Sequence, residues 1–158
     1  MAEEKTYYLS KEGLKRIKKD YEDLKQIKLM KTRGEAPKIL HSEDVDSDYS
    51  ALQEDLGLLE IKLSELETIL KNARLIKIPS KNDQKTIKLG ATVLVGINGA
   101  DDEFTIVGTL EANPAQGRIS NESPVGKILL GRGIGEEIMV NSPNKTVYRI
   151  KKIKYTTS

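Results

Sequence analysis

From Tyr49 onward the apolar positions fall at Tyr49, Leu52, Leu56, Leu59, Leu63, Leu66, Leu70 and Ala73, alternately three and four residues apart. That is an unbroken heptad seam, the pattern that lays two helices side by side. Glu, Lys and Leu fill most positions between, and Gly57 is the one weak helix former. The spacing predicts a helix over roughly 46 to 74, about 40 Å long at ~1.5 Å per residue.

A second heptad run lies upstream at Leu14, Ile17, Tyr21 and Leu24. It follows Ser10, a good N-cap, with Glu12 in the first turn. The next heptad slot is Lys28, so Ile27 and Met30 are expected to carry the apolar surface there. Gly34 and Pro37 end the regular helix. Two heptad helices joined by a short irregular stretch predict an antiparallel coiled-coil hairpin. The alternative is a pair of helices in an ordinary bundle, but no later segment offers a third helix of comparable length.

The period then changes. "LIKIPSKNDQK", residues 75 to 85, reads as a polar linker. "ATVLVGI" (91 to 97) and "EFTIVGTLEA" (103 to 112) read as strands, with Asn98-Gly99 opening the loop between them. "SPVGKILLG" (123 to 131) reads as a short helix with Ser123 as N-cap and Pro124 at its first position. "EEIMVNS" and "TVYRIKKIKY" read as two more strands. The predicted fold class is α+β: a hairpin over 1–76 with an acidic tip near 41–50, a linker over 77–88, and a β-rich globular domain with one short helix over 89–158.

Composition narrows the chemistry. Aromatic content is 4%, with no Trp, so a large aromatic-lined pocket is not expected. There is no Cys, which excludes disulfides and thiolate metal sites. "MAEEKTYYLS" has no apolar signal core and no run approaches a membrane span, so a cytoplasmic protein without a membrane partner is expected. The formal net charge of +2 hides an uneven layout: residues 1–74 carry 14 basic and 16 acidic side chains, residues 85–158 carry 10 and 7.

The sharpest local feature is "HSEDVDSDYS", residues 41 to 50, where Glu43, Asp44, Asp46 and Asp48 stand with no Lys or Arg. Like charges this close repel, and the stretch falls where the hairpin turns. Asp44, Asp46 and Asp48 match the opening of an EF-hand loop, but that loop needs Gly at its sixth place and Glu at its twelfth, where Tyr49 and Asp55 stand. A solvated turn with an N-cap cluster accounts for one or two acids and poorly for four. His41, the only His, reads as a solvated loop residue. Near the tip, Lys28, Lys31, Arg33 and Lys38 meet only Glu35 along the first arm. A basic band behind an acidic tip suits holding a polyanion by its phosphates, although a charged solvated helix face would look the same.

Taken together, "YLSKEGLKRIKKDYEDLK", "LSELETILKNARLI", "LGATVLV" and "ISNESPVGKILLGRGIGEEIMVNSP" resemble the Gre-type transcript cleavage factors of bacterial RNA polymerase. The resemblance implies a coiled coil that enters the polymerase's secondary channel and a globular domain, similar in fold to FK506-binding proteins, that holds the factor at the channel rim. It implies tip acids that help the polymerase cleave backtracked RNA. Partners would be the polymerase and the nascent RNA 3′ end, with DNA met only through the complex, and the factor would act as a monomer. It would be no enzyme by itself.

The family tip is close to G-D-L-x-E-N-A-E-Y. Matching Tyr49 to its Tyr puts Asp48 on the second Glu and Asp46 on the Asn, and leaves Ser42 and Val45 at the two key acidic positions. The acids are displaced to Glu43 and Asp44, which become the expected ligands of a Mg²⁺ shared with the polymerase. Phosphodiester hydrolysis by two metals needs a second Mg²⁺, and Mg²⁺ commonly takes one or two protein carboxylates plus waters and substrate phosphate. With Glu43 and Asp44 in an irregular turn and Asp46 and Asp48 at the helix start, Asp44 should matter most and Asp48 least. The alternative is a Gre-like channel binder that inhibits the polymerase without cleavage.

Two further readings concern the globular domain. Its three rings, Phe104, Tyr148 and Tyr155, are too few for a prolyl-isomerase pocket, and the seven-residue spacing of the tyrosines places them on opposite strand faces. "GRGIG" (131 to 135) follows a helix, not a strand, so it is not a nucleotide fingerprint. Val125, Ile128 and Leu129 read as core.

Overall fold

The computed structural model describes residues 5–33, 42–141 and 144–156, with 42–48 by backbone alone. By compactness the chain divides in two: Leu14–Ala73 belongs to a helical unit, and Thr6–Gly13 with Arg74–Ser158 forms a globular one.

The helical unit contains most of α1 (Lys11–Thr32) and all of α2 (Ser42–Lys71). Three pairs set their register: Lys31 with Asp55, Lys28 with Glu60, and Tyr21 with Glu67. One number rises as the other falls, so the helices run antiparallel. The predicted seam is the buried line of α2. Leu63 and Leu66 are buried, Leu52, Leu56, Leu59 and Leu70 are half-buried, and Tyr49 at its start is exposed.

On α1 the half-buried positions are Leu14, Ile17, Tyr21, Leu24, Lys28 and Lys31, still three and four apart. The heptad therefore continues through two lysines. Ile27 and Met30, expected to take over the apolar surface, are 41% and 53% exposed. The reason lies in the lysine side chain, whose aliphatic stem covers apolar surface while the ammonium reaches an acid on the other arm.

The globular unit contains β1 (Tyr7–Leu9), which pairs with β2 (Ala73–Leu75) in a two-stranded sheet that the sequence reading did not foresee. Its main sheet has β3 (Ala91–Ile97), β4 (Ala100–Val107), β5 (Arg118–Ser120), β6 (Glu137–Val140) and β7 (Thr146–Tyr155), in the order β5-β4-β3-β7-β6. Only the β4–β5 pair is parallel. The β3–β4 hairpin turns at Asn98 and Gly99, both at positive φ, which is why Asn-Gly is suited to it. The strand expected to run to residue 112 ends at Val107; Thr109–Glu111 is a 3₁₀ turn.

The short helix α3 (Pro124–Leu129) starts as predicted, with the Gly126 N–H donating to Ser123 Oγ at 3.0 Å. It covers the sheet face that carries Ala91, Val93, Val95, Ile106, Ile138, Val140 and Ile150, with Leu129 fully buried. The supposed linker 77–88 contributes to this core. Ile87 is 1% exposed; its N–H donates to the Arg132 carbonyl and its carbonyl accepts from the Gly131 N–H, both at 2.8 Å.

Over the stretch where it pairs with β3, β7 contains one residue more than its partner. Leu94 lies opposite Lys152 and Val95 opposite Ile150, so Lys151 is a bulge. Tyr148 then faces Ile97 and Tyr155 faces Ala91, six apart on β3 and hence on one face. The expectation of opposite faces fails because a bulge shifts the alternation by one. Both tyrosines and Phe104 pack against the core, and Phe104 and Tyr148 stack with centroids 6.2 Å apart.

Candidate functional site

The residues expected to carry the chemistry lie where α1 ends and α2 begins. α2 starts at Ser42, about four residues earlier than the heptads alone suggest, and takes in all four acids. Glu43 and Asp44 are therefore in the first helical turn, not in an irregular turn ahead of it. Carboxylates are favoured there by the partial positive charge of the helix N-terminus, which is the physical reason for the early start. Asp46 and Asp48 lie further into the helix, and Asp44 and Asp48 are one turn apart. The ground for ranking Asp44 above Asp48 is removed. Lys38, His41, Gly34 and Pro37 lie outside the described residues.

The basic residues of the stem are engaged more than expected. Lys31 Nζ is 2.9 Å from Asp55 Oδ2, and Lys28 Nζ is 3.5 Å from Glu60 Oε1. The expectation that these lysines meet only Glu35 considered one arm; the antiparallel register brings acids from the other. All four groups are at least a third exposed or close to it, so each pair holds weakly. Arg33 directly follows α1, its N–H donating to the Leu29 carbonyl at 3.0 Å.

Further along the stem the Tyr21 hydroxyl donates to Glu67 Oε1 at 2.7 Å. That bond holds the phenol above its ordinary range, assisted by lost hydration and by the negative charges of Glu67 and Glu22. Lys25 Nζ sits 5.3 Å from the ring centre, a cation–π contact. This cross-arm polar ladder was missed by sequence reasoning. Writing the two heptad runs in opposite directions would have set Asp55 and Glu60 beside Lys31 and Lys28.

Among the described residues of the globular unit, the three rings and the glycine loop are engaged in structural contacts. The rings are core residues; the Tyr155 hydroxyl donates to the Thr86 carbonyl at 2.8 Å and accepts from the Lys88 N–H at 2.9 Å. In the glycine loop, the Gly131 and Gly135 N–H groups bond the Ile87 and Ile150 carbonyls at 2.8 Å, and Gly133 N–H bonds the Glu136 carboxylate. With all three amides engaged, the loop cannot cradle a phosphate. Val125 and Ile128 are half-buried against the core, as expected.

The C-terminal domain of the transcription elongation factors GreA/GreB matches residues 81–155. Transcription elongation factor GreA of Thermomicrobium roseum is 35% identical over 145 residues, covering 88% of this chain and 90% of that protein. GreA of Clostridium acetobutylicum is 36% identical over 160 residues, covering 98% and 100%. The solved structure of a prokaryotic transcription elongation factor GreA/GreB from Nitrosomonas europaea aligns with 96% of this chain and 99% of its own, at 18% identity and a TM-score of 0.45.

Proposed function

This chain belongs to the GreA/GreB family of transcription elongation factors, and on that ground we propose that it binds bacterial RNA polymerase and stimulates cleavage of backtracked RNA. The observation that carries the reading is the acid cluster at the start of α2, at the end of an antiparallel hairpin. In this reading the hairpin enters the secondary channel and the globular unit holds the factor outside. The factor works as a monomer, meets DNA only through the complex, and lends part of a site rather than holding a whole one.

The donor set suits Mg²⁺: four carboxylates supply hard anionic oxygens, and two of them are one helical turn apart. Glu43 and Asp44 would hold the ion from the protein's side, with Asp48 near Asp44 along the helix. Bound Mg²⁺ supplies water activation and charge neutralisation at the scissile phosphate. Lys28, Lys31, Arg33 and Lys38 hold the RNA 3′ segment by its phosphates, the first two by exchanging Glu60 and Asp55 for them.

The test is a Mg²⁺ titration of transcript shortening in backtracked elongation complexes. Asp44→Asn and Glu43→Gln should each raise the Mg²⁺ requirement roughly tenfold, the size of one charge-assisted contact. Asp44→Asn with Asp48→Asn should exceed either single change. Polymerase affinity should stay nearly constant. If all variants follow the unsubstituted curve, the acids are not metal ligands. A second reading, channel binding that slows nucleotide addition without cleavage, is favoured by Ser42 and Val45 standing at the family's key acidic positions. Faster escape from arrest on adding the protein would exclude it.

A further inference from the structure

A groove of about 430 Å³ lies between the small β1–β2 sheet and the chain leading into β3. Its lining comes wholly from the globular unit: Tyr8 on β1, residues 74–77 at the end of β2 and beyond, Pro79, and Lys88 with Leu89. Side chains of an extended chain alternate between two faces. Four consecutive lining residues therefore cannot come from one face, and the groove follows the edge of the chain there. An extended peptide lies along such an edge.

The walls are tied down by the fold itself. The Ile76 N–H donates to the Leu9 carbonyl, Gln84 Nε2 to the Pro79 carbonyl, and the Lys88 N–H to the Tyr155 hydroxyl, each at 2.9 Å. Gly108 has no Cβ where the Tyr8 carbonyl sits, and Gly90 none where the Ile76 side chain rests, so β1 and the groove floor lie close against the main sheet. A site with its backbone already ordered loses little freedom on binding. The floor is aliphatic, with Ile76, Pro79 and Leu89 half-buried. Beside it Tyr8 and Leu75 stand 40% and 43% exposed. Large apolar side chains left exposed around one concavity mark a binding surface. At the rim Lys77 and Lys88 are exposed, and the ion pairs found among the described residues engage neither. Two cations beside an apolar floor complement an acidic ligand with an apolar anchor. A nucleobase needs flat stacking platforms, and Tyr8 is the one ring among the described lining residues.

We propose that this groove binds an extended acidic peptide segment of a partner protein. One apolar side chain of the segment sits on Ile76, Pro79 and Leu89, and carboxylates on either side of it meet Lys77 and Lys88. The site stands on the globular unit alone and does not depend on the cleavage-stimulating reading. The buried anchor supplies most of the affinity, and the charges set which segments are accepted.

The experiment titrates the full chain with an end-blocked peptide, Asp-Asp-Leu-Asp-Asp, and follows the backbone amide resonances. Saturable shifts should appear at residues 75–78 and 88–89. Replacing the central leucine of the peptide by alanine should weaken binding about tenfold, the effect of withdrawing a buried aliphatic side chain. Lys77→Glu and Lys88→Glu should each weaken it about tenfold, the size of one charge-assisted contact. Leu75→Ala, at the exposed wall, should weaken it less. The amide resonances of β3 and β7 should stay in place in every variant, which shows that each one folds. Equal affinity for the leucine and alanine peptides would overturn the proposal, because charge alone would then explain binding. So would shifts spread over the other lysines of the unit, or no saturable shift at all. A uridine oligonucleotide of equal charge that displaces the peptide from the same amides at equal concentration would overturn it in favour of a nucleic-acid site.

Discussion

The helical and globular units bury their apolar residues in different ways. In the globular unit, Ala91, Val93, Val95, Ile106 and Leu129 are wholly excluded from water and belong to one cluster. Along the hairpin, only Leu63 and Leu66 are buried among the described seam residues, and toward its tip the seam passes to half-exposed leucines and paired lysines. A two-helix pair has one shared face and cannot enclose a core; a curled sheet with a helix across it can. The globular unit thus stands on burial. The hairpin stands on a short dry segment plus many weak polar contacts, and its tip half is open to exchange of partners.

Substitutions should separate the two regimes. The largest effect is expected for Leu129→Ala, which empties a site with no exposure and should cost about 3–5 kcal/mol in denaturant unfolding of the globular unit. Leu63→Ala, at 7% exposure, should cost about 2 kcal/mol and act on the helical signal, because its surroundings can partly collapse. Equal losses for the two would mean that the seam is as enclosed as the sheet core. Smaller still is the Lys31–Asp55 pair, where a double-mutant cycle should return about 0.2–1 kcal/mol and vanish in high salt.

The last effect is read in pH. The folded Tyr21 phenol is raised, first by its bond to Glu67. Its contribution is therefore fully present below the unfolded phenol range near pH ~10 and is lost as pH rises through the folded value. Tyr155 is raised too, by burial, against the opposing bond from Lys88 N–H. Ultraviolet titration should show two late phenols, and Tyr21→Phe should remove one. A Tyr21→Phe protein with both still present would break the assignment.

What the sequence disclosed follows from where the information resides. The 3–4 alternation, Ser123-Pro124 and Asn98-Gly99 are local signals, and each led to the right element. The bulge at Lys151 belongs to a strand pair, and nothing in "YRIKKIKY" alone announces it. β1 and β2, three residues each, are too short for a period. At the tip, the acids were legible as a cluster, but the helix dipole was applied to Asp46 and Asp48 at a later helix start, whereas the helix begins at Ser42 and has Glu43 and Asp44 in its first turn. The lysines at heptad slots were legible as charges and not as seam residues, because their partners are on the other arm.

The bulged strand has one more consequence, for how the folded chain meets its own copies. β7 has ten residues, but β6 pairs with it only over Thr146–Arg149. Past the bond between the Ile150 N–H and the Glu136 carbonyl, β7 runs on with β3 alone and presents an edge. An uncovered strand edge is a template for aggregation, and lysines placed along it are the usual deterrent. The exposed segment carries Lys151, Lys152 and Lys154, and the bulge turns it further from the flat geometry another strand would need. Lys151 is paired with Asp101 at 2.5 Å, so it is Lys152 and Lys154 whose like charges would disfavour edge-to-edge pairing of two copies along this strand.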